Sequence, residues 1–128
     1  MTRAILDTSV LIGWTPEEDV HAMAEELSFS VITLAELELG VLLATDPNNR
    51  ARRLSTLTRA HTLGAPLGVD RRAASAYAAL AASVMNAGKR PRINDTWIAA
   101  TALAHEAEVW TRDGDFSDFK GRVRVVRL

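Results

Sequence analysis

Short apolar runs alternate along the chain with longer segments whose apolar residues recur every three or four positions. That is the pattern of strands exchanging with amphipathic helices. Residues 4–7, AILD, read as a buried first strand ending on Asp7, after which Thr8 and Ser9 lead into an apolar turn, VLIGW. Pro16, followed by Glu17, Glu18 and Asp19, has the proline and first-turn acids of a helix start, and this helix is expected to run to Leu27. FSVIT at 29–33 is expected as the second strand. Thr33 then opens T-L-A-E, a capping box with Thr33 as N-cap and Glu36 at N3, heading an apolar helix from Leu34 to Thr45. DPNN at 46–49 reads as a turn, 50–62 as an arginine-rich helix, and APLGVD at 65–70 as a short third strand.

From Arg71 to Ala87 runs an alanine-rich helix with Ala73, Tyr77, Leu80 and Val84 on one side, stopped by Gly88. The basic loop KRPR leads into residues 91–113, where Asn94 is expected to cap a helix beginning at Asp95. Asp95, Ile98, Ala99 and Ala102 fall at i, i+3, i+4 and i+7 and so share a face. A carboxylate heading an apolar face is unusual, because burying an unpaired charge is costly. The helix ends near Ala107, VWT forms a strand ending at Asp113, GDFSDFKG is loop, and VRVVRL is the last strand. The alternation predicts a three-layer α/β/α domain with a mainly parallel central sheet. In such a sheet ligands bind beyond the carboxyl ends of the strands. Asp7, Glu36, Asp95 and Asp113 can all converge there.

At 128 residues the chain is expected to be a single domain, 1–128, large enough for a real core. It contains no cysteine, which excludes disulfides, thiolate zinc sites and cysteine nucleophiles. No apolar run approaches the roughly eighteen residues of a bilayer span, and no signal-peptide pattern precedes the first element, so a soluble cytoplasmic protein with no membrane association is expected. The net charge of −1 hides segregation: residues 1–49 carry nine acids and one base, whereas 50–92 carry nine bases and one acid. The basic middle suits either a phosphate-tracking surface or plain solvated helix faces.

Four convergent carboxylates repel one another, and some must take up protons unless a cation neutralises them. All-oxygen ligation suits magnesium or manganese, not zinc or copper. A hard divalent ion lowers the pKa of bound water and neutralises charge on a phosphoryl oxygen, and two ions about 4 Å apart serve both the attacking and the leaving oxygen. Phosphodiester hydrolysis is the chemistry this pattern points to. Glu36 also has a purely local reading, as the capping-box carboxylate.

The DTSVLI start, T-L-A-E-L-E-L-G, N-D-T-W-I-A-A-T-A-L-A and T-R-D-G-D-F together resemble a PIN domain, and more closely the VapC toxins of VapBC toxin–antitoxin pairs. The resemblance covers essentially the whole chain. It implies that Asp7, Glu36, Asp95 and Asp113 are the family's four acids, with Asp7 and Asp95 as the primary metal ligands. Asp113 or Asp115 would complete the metal site, since family members place an acid at either position. Glu36 would hold a second ion or orient the attacking water, with Thr8, Ser9, Asn94 and Thr111 as hydrogen-bond partners of the ligands. The resemblance further implies a Mg2+- or Mn2+-dependent endoribonuclease acting on tRNA or rRNA. The chain would be a homodimer with a cognate VapB-type antitoxin, in a dimeric or larger complex with it.

Lys89, Arg90 and Arg92 lead into the Asp95 helix and are the basic residues best placed for RNA, with Arg112 beside the fourth acid as a further candidate. His21, His61 and His105 share no metal-ligand spacing. Trp97 and Trp110 suit the core, and Trp14 suits either core or interface. A response-regulator receiver fails because Asp7 is followed by Thr8 and Ser9, not a second acid, and the last strand offers no lysine. A haloacid-dehalogenase-type phosphatase fails for want of an acid at Ser9. The rival that survives is a PIN-fold binding or regulatory subunit with little turnover.

Overall fold

The computed structural model describes residues 2–14 and 25–128. Among them the elements are β1 (Arg3–Leu6), α1 (Thr8–Gly13), β2 (Glu26–Ser28), α2 (Val31–Leu43), α3 (Pro47–His61), α4 (Arg71–Asn86), α5 (Ile93–Ala104), β3 (Glu108–Thr111), a 3-10 turn at Ser117–Phe119, and β4 (Val125–Arg127). The sheet order is β2-β1-β3-β4, and every neighbouring pair is parallel. Period-two alternation sends successive strand residues to opposite faces. Ile5 and Val109 therefore join Leu80, Val84 and Ile98 of α4 and α5 on one side. Ala4, Leu6 and Trp110 meet Val10, Leu11, Leu37 and Ala60 of α1, α2 and α3 on the other. The result is the expected three-layer α/β/α arrangement, with a core on each face of the sheet.

Several predicted boundaries move. The helix expected over 16–27 falls mostly outside the described residues, but Glu26 and Leu27 belong to β2. The strand predicted at 29–33 is displaced: Ser30, not Thr33, is the N-cap of α2 and accepts from the Thr33 N–H at 3.2 Å. Val31-Ile32-Thr33 looks β-forming by composition, yet the Ser30 cap makes it a first helical turn. Glu36 consequently lies in the second turn and is not a capping-box residue. DPNN is a helix start as well, with Asp46 capping the Asn49 N–H at 2.9 Å and Pro47 in the first turn. VLIGW is largely the short helix α1, too brief for periodicity to reveal.

The segment 65–70 contributes only a single parallel bridge, Ser30 to Leu67, flanked by Pro66 and Gly68, which do not propagate a ladder. Helix α5 begins at Ile93 with Arg92 at its N-cap position, so Asn94 is not the cap and Asp95 is the third helical residue. Strand β3 stops at Thr111, two residues before Asp113. The α4 prediction holds closely, and Gly88 ends that helix at φ 79°, where a side chain would be strained.

Because β1 has β2 on one side and β3 on the other, the chain reverses its direction of sheet growth between β1 and β3. Open parallel sheets bind ligands at such a switch point. Asp7 leaves β1 and Thr111 leaves β3 on the two sides of that crevice.

Candidate active site

Asp7 follows β1 directly, fixed at both backbone groups: its N–H donates to the Trp110 carbonyl at 2.9 Å and its carbonyl accepts from Val10 N at 3.0 Å. Its side chain is buried, 4% exposed. The hydroxyls of Ser9 and Thr111 both donate to Oδ2, at 2.7 and 2.9 Å. The Ser9 oxygen in turn accepts the Arg112 N–H at 2.9 Å, which ties the exit of β3 to the start of α1. Burial raises the Asp7 pKa; the Ser9 and Thr111 hydroxyls oppose the rise, and Asp113 adds to it.

Past β3, the Thr111 oxygen accepts the Asp113 N–H at 3.2 Å, and Asp113 Oδ1 accepts the Asp115 N–H at 3.0 Å. This is a local Asx-type turn that holds both acids beside the strand exit. On the other flank the Thr8 hydroxyl donates to Glu36 Oε1 at 2.7 Å and lies 3.3 Å from the Thr33 hydroxyl. A hydroxyl has one proton, and the shorter contact with the carboxylate takes it. Thr33 is fully buried and was not anticipated as part of this network.

Asp95 projects from the first turn of α5. Its pKa is pushed up to about 6, first by burial and then by repulsion from Asp7, Asp115, Asp113 and Glu36. Four other acids thus act on Asp95 across the crevice. Among the described residues, however, no group of three or more His, Asp or Glu side chains is arranged to hold a metal ion as it stands. The donor set, all carboxylate oxygen, fits a hard divalent cation in chemistry and in charge.

The match to a PIN domain model spans residues 4–122. Ribonuclease VapC4 of Mycobacterium tuberculosis is 44% identical over 117 residues, covering 90% of this chain and 89% of that protein. This chain is a VapC-type member of the PIN-domain family. Ribonuclease VapC5 of the same organism is 39% identical over 128 residues, covering 97% of this PIN domain and 94% of the relative. A crystal structure of VapBC-5, a member of the VapBC family of toxin–antitoxin systems from that organism, superposes with a TM-score of 0.88 at 36% identity over the whole of both chains.

The remaining candidates divide. Within this PIN domain Arg92 pairs with Asp115 at 2.8 Å and Lys89 with Asp118 at 2.9 Å, so both tie the loop before α5 to the loop after β3. Arg90 and Asn94 are exposed. Arg112 lies across the end of α1, where a Cβ on Gly13 would stand 3.0 Å from its Cδ. Trp110 is core, and Trp97 stacks on Tyr77 with ring centres 4.0 Å apart. Trp14 is partly buried, with Arg59 5.9 Å from its ring centre. His61 meets the edge of Phe29, His105 follows α5, and His21 lies outside the described residues. No helix among the described residues is long and apolar enough to cross a membrane.

Proposed function

We propose that this chain is a metal-dependent endoribonuclease, the toxin of a type II toxin–antitoxin pair, cleaving phosphodiesters of tRNA- or rRNA-class RNA. The observation that carries the reading is Asp95: a half-buried carboxylate under repulsion from four other acids at the switch point of a parallel sheet. The full-length likeness to proteins named ribonucleases supports the same reading.

In this proposal Asp7 and Asp95 hold Mg2+, or Mn2+ in its place, and Asp113 or Asp115 completes the set. The ion, when bound, supplies neutralisation of phosphoryl charge and a more acidic water. The chain's own residues do the positioning. Ser9 and Thr111 fix the Asp7 carboxylate, and Thr8 fixes Glu36, which orients the attacking water or supports a second ion. The chain acts as one PIN-like domain in the cytoplasm, as a homodimer, restrained by a VapB-type antitoxin in a dimeric or larger complex. The VapBC-5 structure supports that partner.

Asp7→Asn and Asp95→Asn should each lower RNA cleavage by roughly 100-fold or more, the scale on which loss of a preorganised charge stabiliser is felt. Chelation should abolish cleavage and added Mg2+ restore it. The other reading is a PIN-fold binding or regulatory subunit with little turnover, since a fold and its site do not guarantee a rate. Parent-like RNA cleavage by both variants would sink the site assignment; RNA binding without metal-dependent cleavage would favour the second reading.

A further inference from the structure

A groove of about 600 Å³ opens between α1, α2 and α3, directly beside the acidic crevice. Thr8 and Glu36 line it on the acidic side, Ile12, Leu37 and Gly40 give it an apolar surface, and Asn49, Arg52, Arg53 and Thr56 line it along α3. Those four α3 residues fall at i, i+3, i+4 and i+7, a polar stripe down one helical face. Arg53 donates from Nη1 to the Gly40 carbonyl at 2.6 Å, and Arg52 donates to the Asn49 amide oxygen. Both acceptors are neutral, so neither guanidinium has its charge compensated by a carboxylate among the described residues. Each keeps further N–H donors, since a guanidinium has five. Across the site the situation is reversed: Arg92 and Lys89 are already paired with Asp115 and Asp118.

The groove is acidic at one end and cationic along the α3 wall, with apolar surface from Ile12 and Leu37 that a nucleobase can cover. It is matched to a polyanionic strand whose backbone lies on the arginines while one phosphate reaches the acids. Its volume lies in the range of about 300–1,000 Å³ typical of ligand sites, enough for about one or two nucleotides. We infer that the α2–α3 groove is the track for the RNA strand beside the scissile bond, with Arg52 and Arg53 as positioning residues that clamp its phosphates. The inference rests on the ribonuclease reading above and adds to it the direction in which the substrate leaves the site.

The test measures anisotropy of a labelled single-stranded RNA on the Asp95→Asn protein over a salt series, together with cleavage kinetics in the parent background. Arg52→Gln/Arg53→Gln keeps the aliphatic stems and removes both charges. It should weaken RNA binding about tenfold or more and flatten the salt slope by about 1.4, since each single-strand phosphate contact contributes about 0.7. The loss should appear mainly in KM, with kcat little changed, and Arg52→Lys/Arg53→Lys should recover most of it. Arg71→Ala/Arg72→Ala, exposed at the start of α4, serves as the charge-matched control and should leave binding unchanged. Unchanged binding and salt slope in the Gln variant, with the parent still cleaving RNA, would overturn the track while leaving the ribonuclease reading standing. The same holds if that variant cuts RNA normally but no longer captures an acidic protein partner, which would make the groove a protein-docking site. A parent protein that neither binds nor cleaves RNA would remove both proposals.

Discussion

Asp7 and Asp95 bring the same carboxyl group into opposite surroundings. Asp7 is the more deeply buried, yet two hydroxyls converge on one of its oxygens and its backbone is fixed between β3 and α1. Asp95 is half-buried, and what surrounds it is negative charge. The contrast separates two jobs within one acidic cluster. Asp7 is preorganised by the chain itself, whereas Asp95 is held under strain that a bound cation would relieve.

The contrast can be broken most strongly at Thr111. Thr111→Val keeps the shape but removes the 2.9 Å donor to Asp7, together with the acceptor for the Asp113 N–H. Hydrogen bonds to charged groups are worth about 1.5–3 kcal/mol, so urea unfolding should show a loss of that order. A variant as stable as the parent would mean that Asp7 does not depend on its hydroxyls.

At Asp95 the effect should be smaller and opposite in sign. A carboxylate whose folded pKa is about 6 binds its proton more tightly folded than unfolded, where the value is near 3.8. The contribution of Asp95 to the stability of the metal-free protein is therefore fullest below about pH 4 and is lost as pH rises through about 6. Asp95→Asn should raise the metal-free Tm at pH 7 and flatten that fall. It should not abolish it, because the Asp7 pKa is raised in the same direction. Added Mg2+ should stabilise the parent and have much less effect on Asp95→Asn. An Asp95→Asn variant whose Tm falls between pH 4 and 6 as steeply as the parent's would contradict the raised Asp95 pKa.

The smallest effect belongs to Arg92. Its pair with Asp115 is largely solvent-exposed, and such pairs contribute about 0–1 kcal/mol. Arg92→Gln should hardly change stability, while releasing Asp115 to turn towards Asp95. An increase in Mg2+ affinity, read by calorimetry, would mark Asp115 over Asp113 as the acid that completes the site. Unchanged affinity would favour Asp113.

Much of this was legible from local pattern, and the misses share a cause. Helix α4 could be read almost to the residue because its apolar spacing and terminal glycine are local features. Val31-Ile32-Thr33 could not, since β-branched composition points to a strand and only the Ser30 cap turns it into a helix. Asp46-Pro47 is equally ambiguous, because turns and helix starts use the same residues. By charge alone Arg52 and Arg53 suit either a phosphate-tracking surface or a solvated helix face. What gives them meaning is the neighbouring wall of Thr8 and Glu36, contributed by distant parts of the chain.

By itself the sequence determined the alternation of strands and helices and the family to which the chain belongs, and it singled out the acids that the fold gathers at the sheet edge. These depend on residue type and short-range spacing. The tertiary structure alone decided that β1 and β3 lie side by side with the switch point between them. It also decided that hydroxyls converge on Asp7 while like charges crowd Asp95, and that the arginines of α3 open onto the same crevice. Each of these is a juxtaposition of segments dozens of residues apart, set by sheet order and packing, and no local pattern encodes it.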